Sequence, residues 1–194
     1  MYGTILAIMA LIVAHTKFVY AKGMKHFPIT SKESWEVFDI AHEFLPNWSE
    51  HGWWLNSIIP ATLLAYLAAY GQTGSLSEVL ALALPLYLLR MITTTVTIFP
   101  SPNPNHSCIA DTPRWIHYVE GGCFDSCYSG HTMLVIVLSV IIFKTSLSPV
   151  PLIGALGALQ ALALLLTRAH YSVDIVLSAV LTLCFLKLDV RMAF

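Results

Sequence analysis

Apolar residues run through this chain in six long stretches, about 2–20, 53–71, 76–99, 131–147, 149–168 and 172–189. A helix crossing the hydrocarbon layer needs roughly 20 mostly apolar residues, so each stretch predicts a spanning helix. The first is the most polar of them, with His15, Thr16 and Lys17 in its last turn, where a lysine stem can reach back to the surface. Pro60 and Pro85 fall inside the second and third stretches, where packed neighbours tolerate proline and a kink is expected. No basic residues precede Met1–Ala14 and no small-residue cleavage pattern follows it, so it predicts a retained helix rather than a signal peptide.

The connections alternate in length. Segments 21–52 and 100–130 are long, whereas 72–75 and 147–150 are tight and punctuated by Gly71, Gly74 and Pro149. Six crossings then place both long connections, and the short turn before Tyr171, on one face. The expected fold is all-α, a single membrane domain over 1–194 built as a six-transmembrane-helix bundle, with its chemistry concentrated in about 85–189. There is no internal repeat and no low-complexity tract. Within the first long connection, Ser34–Leu45 places Trp35, Phe38, Ala41, Phe44 and Leu45 at helical spacing. This predicts an amphipathic helix lying along the surface and ended by Pro46, either as an anchor or as a route for substrate. Trp35, Trp48, Trp53, Trp54 and Trp115 fall on the same face, as the aromatic belt of a membrane interface does.

Composition agrees with a bilayer setting. Of 194 residues, 57% are hydrophobic and only 11% charged, and mean hydropathy is +0.71. Soluble domains carry roughly a quarter charged residues. The formal net charge of -1 leaves no basic stripe to neutralise phosphates, which excludes a nucleic-acid partner. Cys184 sits in an apolar run and reads as a packing residue. Cys108, Cys123 and Cys127 cluster on the long-connection face without the paired spacing of a zinc site; an oxidising compartment would allow a bridge such as Cys108–Cys123.

Three features on that face carry chemistry. Ser129-Gly130-His131-Thr132 opens the fourth stretch, where a helix N-terminus offers free N–H groups and favours an anion. His131 beside such a cradle can exchange a proton with a reacting oxygen, although Ser129 is equally a helix N-cap. His170-Tyr171-Ser172-Val173-Asp174 opens the sixth stretch. With His170 and Asp174 at i and i+4, a shared helix face lets the carboxylate fix the imidazole tautomer, so that His170 can attack phosphorus; a structural ion pair uses the same spacing. From His131 to His170 the chain runs 39 positions, about two crossings plus a turn, which returns both histidines to one membrane depth. Ionisable groups converging at that depth point to function. The third feature is Arg90, inside the third apolar stretch, with Thr93 and Thr97 as i,i+4 neighbours; it needs an anionic ligand or a buried carboxylate.

These motifs, in order, resemble those of the sphingomyelin synthase family of ceramide phosphotransferases, a branch of the type 2 phosphatidic acid phosphatase superfamily. The likeness rests on Arg90…Thr93…Thr97…Pro100, on Cys123-Phe124-Asp125-Ser126-Cys127-Tyr128-Ser129-Gly130-His131-Thr132, and on His170-Tyr171-Ser172-Val173-Asp174. Phe38-Asp39-Ile40-Ala41-His42-Glu43-Phe44-Leu45-Pro46 is loosely similar to the family's first motif, and the resemblance covers roughly 35–189. Departures are Phe124 where the family has glycine, a first motif without its Pro-Leu-Pro-Asp opening, and no expected counterpart of the relatives' cytosolic N-terminal extension.

The resemblance implies transfer of a phospho-headgroup from a glycerophospholipid such as phosphatidylcholine to ceramide, without metal, nucleotide or other cofactor. His170, oriented by Asp174, would form a phosphohistidine, and His131 would act as acid and then base. Arg90, Asp125, Ser129, Gly130, Arg168 and Tyr171 are the expected substrate contacts. Two alternatives stand beside this. One is a lipid phosphatase of the same superfamily; leucine at 164, where hydrolases of the superfamily carry arginine, favours transfer. The other is a structural, inactive subunit of a larger membrane complex, and a homo-oligomer is a further expected arrangement. Lys17, Lys22, Lys25, Lys32, Arg114 and Arg168 on the site face outnumber Lys144, Lys187 and Arg191 opposite, which points to a cytosolic or matrix site. The resemblance implies a lumenal or exoplasmic one, in Golgi, endoplasmic reticulum or plasma membrane, and that is the expectation adopted, with the mitochondrial inner membrane as the alternative.

Overall fold

The computed structural model describes residues 2–26, 37–71, 74–102, 124, 126–144 and 150–192. Among them the chain forms α-helices and no strand: α1 (Tyr2–His26), α2 (Ile40–Phe44), α3 (Gly52–Tyr70), α4 (Ser75–Val96), α5 (Gly130–Lys144), α6 (Val150–Leu166) and α7 (Ser172–Met192), with a 3-10 turn at Ser49–His51. The class is all-helical, and each predicted stretch holds one long helix. Among the described residues one helix, Ser75–Val96, is long and apolar enough to cross a membrane; Trp54–Tyr70, Gly130–Lys144 and Gly154–Leu166 are shorter apolar helices.

Helix α5 is the axis of the packing. Its buried residues Thr132, Met133, Val135, Val137, Leu138, Ser139, Ile141 and Ile142 face in every direction, and α3, α4, α6 and α7 all lie against it. A helix apolar all round belongs at the centre of a core. Leu63 and Leu67 of α3 and Val79, Leu82 and Leu86 of α4 complete that core. Gly74 turns α3 into α4 at φ 99, a left-handed conformation that a side chain resists.

Proline in α3 is accommodated by a neighbour. Pro60 has no N–H, so it cannot donate to the carbonyl four residues earlier, at Asn56. Gln160 of α6 supplies the missing donor, its Nε2 reaching the Asn56 carbonyl at 3.1 Å. The Asn56 side chain accepts from Thr167 at 2.8 Å and so stitches the same two helices nearer the end of α6. Both contacts are buried, where an unmatched carbonyl costs about 1–3 kcal/mol.

Helix direction decides which ends meet. Lys144 at the end of α5 pairs with Glu78 at the start of α4, at 3.1 Å. The opposite end therefore gathers the end of α4, the start of α5, the end of α6 and the start of α7. His131 and His170 share that end.

One predicted element is shorter than its periodicity suggested. In place of a helix over Ser34–Leu45, the described part has no helix over Val37–Asp39 and is helical only over Ile40–Phe44; Ser34, Trp35 and Glu36 lie outside the described residues. Asp39 is the reason, since at φ -136 its carboxylate accepts the N–H groups of Ala41 and His42 and starts the helix there. Leu45, before Pro46, is extended and ends it. Arg114, Trp115, Cys108, Cys123, Asp125 and Lys32 also lie outside the described residues. Cys127 is a buried free thiol.

Replacing Gln160 with leucine removes the donor that Pro60 makes necessary. We expect Gln160→Leu to lower stability by about 1–3 kcal/mol, and by clearly less in a Pro60→Ala background, where residue 60 regains its own N–H. Unfolding midpoints of the four chains in one detergent measure this; equal costs in both backgrounds would refute the account.

Candidate active site

The centre of the site is a turn, not a helix face. At the end of α6, Ala169 N–H donates to the Leu164 carbonyl at 3.0 Å and Arg168 N–H to that of Leu165 at 3.2 Å. This is a Schellman ending, which normally has glycine at its left-handed position. Arg168 occupies it instead, at φ 54. A non-glycine residue held there costs on the order of 1–3 kcal/mol and persists only where its surroundings enforce it.

His170 follows in that turn, and α7 begins only at Ser172. The sequence reading put His170 and Asp174 on one helix face; the structure corrects this. Asp174 Oδ2 reaches back to accept the Tyr171 N–H at 2.9 Å, as an acidic residue at the third helical position does for the residue that caps the helix. The same oxygen stands 3.4 Å from His170 Nδ1. Helix capping therefore creates the His–Asp pairing. His170 and Asp174 are both buried, and Asp174 Oδ1 meets no hydrogen-bond partner among the described residues.

The start of α5 supplies the second histidine. Ser129 caps the helix, its hydroxyl oxygen accepting the Thr132 N–H at 3.2 Å and the Thr132 hydroxyl at 3.0 Å. The N-cap alternative for Ser129 is thus realised, while the N–H groups of the first turn of α5 still point outward from the helix end. The His131 and His170 rings lie 6.5 Å apart at 66°. Arg90 is buried beside them. Its Nε donates to the Tyr128 carbonyl at 3.1 Å, its guanidinium lies 5.4 Å from the Tyr87 ring centre, and a Cβ on Gly130 would come within 3.4 Å of Nε. Glycine at 130 thus lets the arginine sit directly against the helix start. Thr93 bonds back to the Arg90 carbonyl at 2.9 Å, whereas Thr97 has left the helix, so the expected pair of hydroxyls is split.

A polar stripe on α7 aligns these parts. Asp174, Ser178 and Thr182 recur every four residues and are fully buried. Ser178 donates to the Ser129 carbonyl at 2.7 Å, and Thr182 shares a hydrogen bond with the Tyr128 hydroxyl at 2.9 Å. The spacing of that stripe was a signal in the sequence, and the motif reading passed over it.

Not every expected contact faces the histidines. The Tyr171 hydroxyl donates to the Pro100 carbonyl at 3.1 Å, and its ring packs on His42 and Phe99. Arg168 extends toward α2, where Nη2 donates to the carbonyls of His42 and Leu45, each at 2.8 Å; Nη1 is buried with no partner among the described residues. Phe124 is buried against α1, and a Cβ built on Gly23 would clash with its ring, so glycine at 23 makes room for it.

Sequence reasoning assigned no role to Asp39 or His42. Asp39 accepts the Ser172 hydroxyl at 2.8 Å and the Ser172 N–H as well, so one carboxylate caps both α2 and α7. Burial pushes its pKa up, but the hydrogen bonds from Ser172 and the charge of His42 prevail and hold it below the ordinary carboxylate value. His42 Nε2 donates to the His170 carbonyl at 3.2 Å. Burial first, and then the Arg168 charge, keep its pKa below the ordinary value against the pull of Asp39.

The signs of these shifts predict a pH response. Folded His42 binds its proton less readily than the unfolded chain, whose ordinary value is 6.5, so folding loses stability as pH falls through and below that point. Asp39 adds a second loss only below its ordinary 3.8. We expect the unfolding temperature to drop between pH 7.5 and 5.5, and His42→Gln, which keeps a donor for the His170 carbonyl, to flatten that slope. Parallel slopes for the two chains would refute this.

The site lies largely in one recognisable segment. No curated protein matches the chain. Residues 122–190 are matched by the family model described as PAP2 superfamily C-terminal. The match takes in His131, His170 and Asp174 and supports the type 2 phosphatidic acid phosphatase superfamily, whose members carry out phosphoryl transfer and hydrolysis at membranes.

Proposed function

We propose that this chain is a multi-pass lipid phosphotransferase that moves a phospho-headgroup from a glycerophospholipid to ceramide, as sphingomyelin synthases do. The observation that carries this reading is the His131–His170 pair at 6.5 Å, with Asp174 Oδ2 at 3.4 Å from His170 Nδ1. A carboxylate this close to Nδ1, which finds no hydrogen bond among the described residues, favours the proton on that nitrogen once the pair tightens, leaving Nε2 as the nucleophile.

Two balanced steps follow. His170 Nε2 attacks phosphorus and forms the P–N bond. The diacylglycerol oxygen departs and takes a proton from the His131 imidazolium. In the second half, neutral His131 removes the proton from the primary hydroxyl of ceramide. That oxygen attacks phosphorus, the P–N bond breaks, and His170 and the His131 imidazolium are restored. Charge on the non-bridging oxygens is met by donors already in place, which is how most of the barrier to phosphoryl transfer is lowered. Arg90 and the first turn of α5 are assigned to those oxygens, and the unmatched Nη1 of Arg168 is a further donor. Asp125, from the matched segment, is assigned to a cationic headgroup.

Water in place of ceramide would make the same site a lipid phosphatase, so the acceptor is what the experiment reads. Purified chain in phosphatidylcholine vesicles with fluorescent ceramide should form a phosphorylated ceramide product, and His170→Ala and His131→Ala should each abolish it. Steady release of free phosphorylated headgroup without ceramide product would replace transferase by hydrolase. No turnover of a panel of phospholipid donors by either route would end the enzymatic reading and favour a structural subunit.

A further inference from the structure

The short helix α2 is bound almost wholly to the turn that carries His170. Asp39 takes both the N–H and the hydroxyl of Ser172, Arg168 Nη2 holds the carbonyls of His42 and Leu45, and His42 Nε2 holds the carbonyl of His170 itself. These contacts bracket residues 168–172 from one side. They also keep Arg168 in its left-handed conformation at φ 54.

By itself α2 could not exist. Its five residues are too few to sustain a helix, and none of them is buried. Apolar side chains stand exposed on it and just ahead of it, with Glu43 the exposed charge among them: Phe44 is 82% exposed, Phe38 77%, and Val37 and Ile40 are exposed as well. Trp48 and Trp54, which follow α2 in the chain, are exposed as well. Aromatic and aliphatic side chains gathered at the level where helices end are what a lipid headgroup–acyl boundary accepts.

We propose that α2 is a lipid-seated strap: its apolar side rests in the membrane interface, its polar side holds the His170 turn, and Asp39 is the positioning residue that joins the two. The proposal rests on the catalytic reading of His170 for its kinetic consequence, but not for its structural one. Because both attachments belong to one element, seating in lipid and ordering of residues 168–172 must reinforce each other reciprocally.

The test uses the full chain in phosphatidylcholine nanodiscs. Amide hydrogen exchange should show residues 37–45 and 168–172 protected together. Phe38→Ser with Phe44→Ser should accelerate exchange in both segments while 130–144 stays unchanged. Asp39→Ala should do the same and lower kcat for ceramide roughly ten- to hundredfold, with KM little altered, as expected for a misplaced nucleophile; Asp39→Asn, which still accepts from Ser172, should recover part of it. Independent exchange in the two segments overturns the strap, as does protection of 37–45 only when the chain self-associates, which would make a second copy the occupant. A kcat loss in Asp39→Ala without faster exchange at 168–172 also overturns it. If the wild-type chain transfers nothing, the phosphotransfer reading fails while the exchange measurements still decide the strap.

Discussion

One carboxylate oxygen organises the site end of this protein. Asp174 Oδ2 accepts the Tyr171 N–H and stands 3.4 Å from His170 Nδ1, so the group that starts α7 also lies beside the imidazole. A helix start buried away from water must find partners for its N–H groups, and the chain meets that need with the residue that the proposed mechanism also uses. The next N–H, that of Ser172, is taken by Asp39 from a distant part of the chain. Two carboxylates thus pin the beginning of α7.

The same demand for internal satisfaction runs through the bundle. Gln160 supplies the donor that Pro60 lacks, Thr167 meets Asn56, Ser178 meets the carbonyl of Ser129, and Arg90 meets that of Tyr128. Apolar packing around α5 is non-directional and would tolerate small rotations of its neighbours. The buried hydrogen bonds do not, because each has one geometry and leaving it unmade is expensive. They fix the rotation of α7 against α5, and so the distance between the two histidines.

Phe124 joins the same end of the bundle to the first helix. A large side chain in the loop before α5 is matched by a glycine at position 23 on α1, and the aromatic ring fills the space. The loop leading to Ser129 and His131 thereby makes van der Waals contact with the first helix. The Tyr20 ring, 6.0 Å from that of Phe124, closes the contact.

Much was legible in the sequence. Long apolar runs declare helices because only a helix satisfies its own backbone within one segment, and the 39 positions between His131 and His170 bring them to one end through two helices and a turn. That His131 and His170 meet at one end was equally plain. What the sequence did not determine was how those residues are held. That His170 sits in a turn and that Asp174 reaches it by capping come from local bonds over three to five positions, which periodicity does not report; that Arg168 turns away to α2, and that Asp39 and His42 secure the turn, depend on contacts across more than 120 positions. Periodicity reports which face of a segment is buried; it carries no information about which distant donor meets which acceptor. That choice is made only when the helices pack, because directional bonds between remote residues form where the packed backbone happens to bring them within reach.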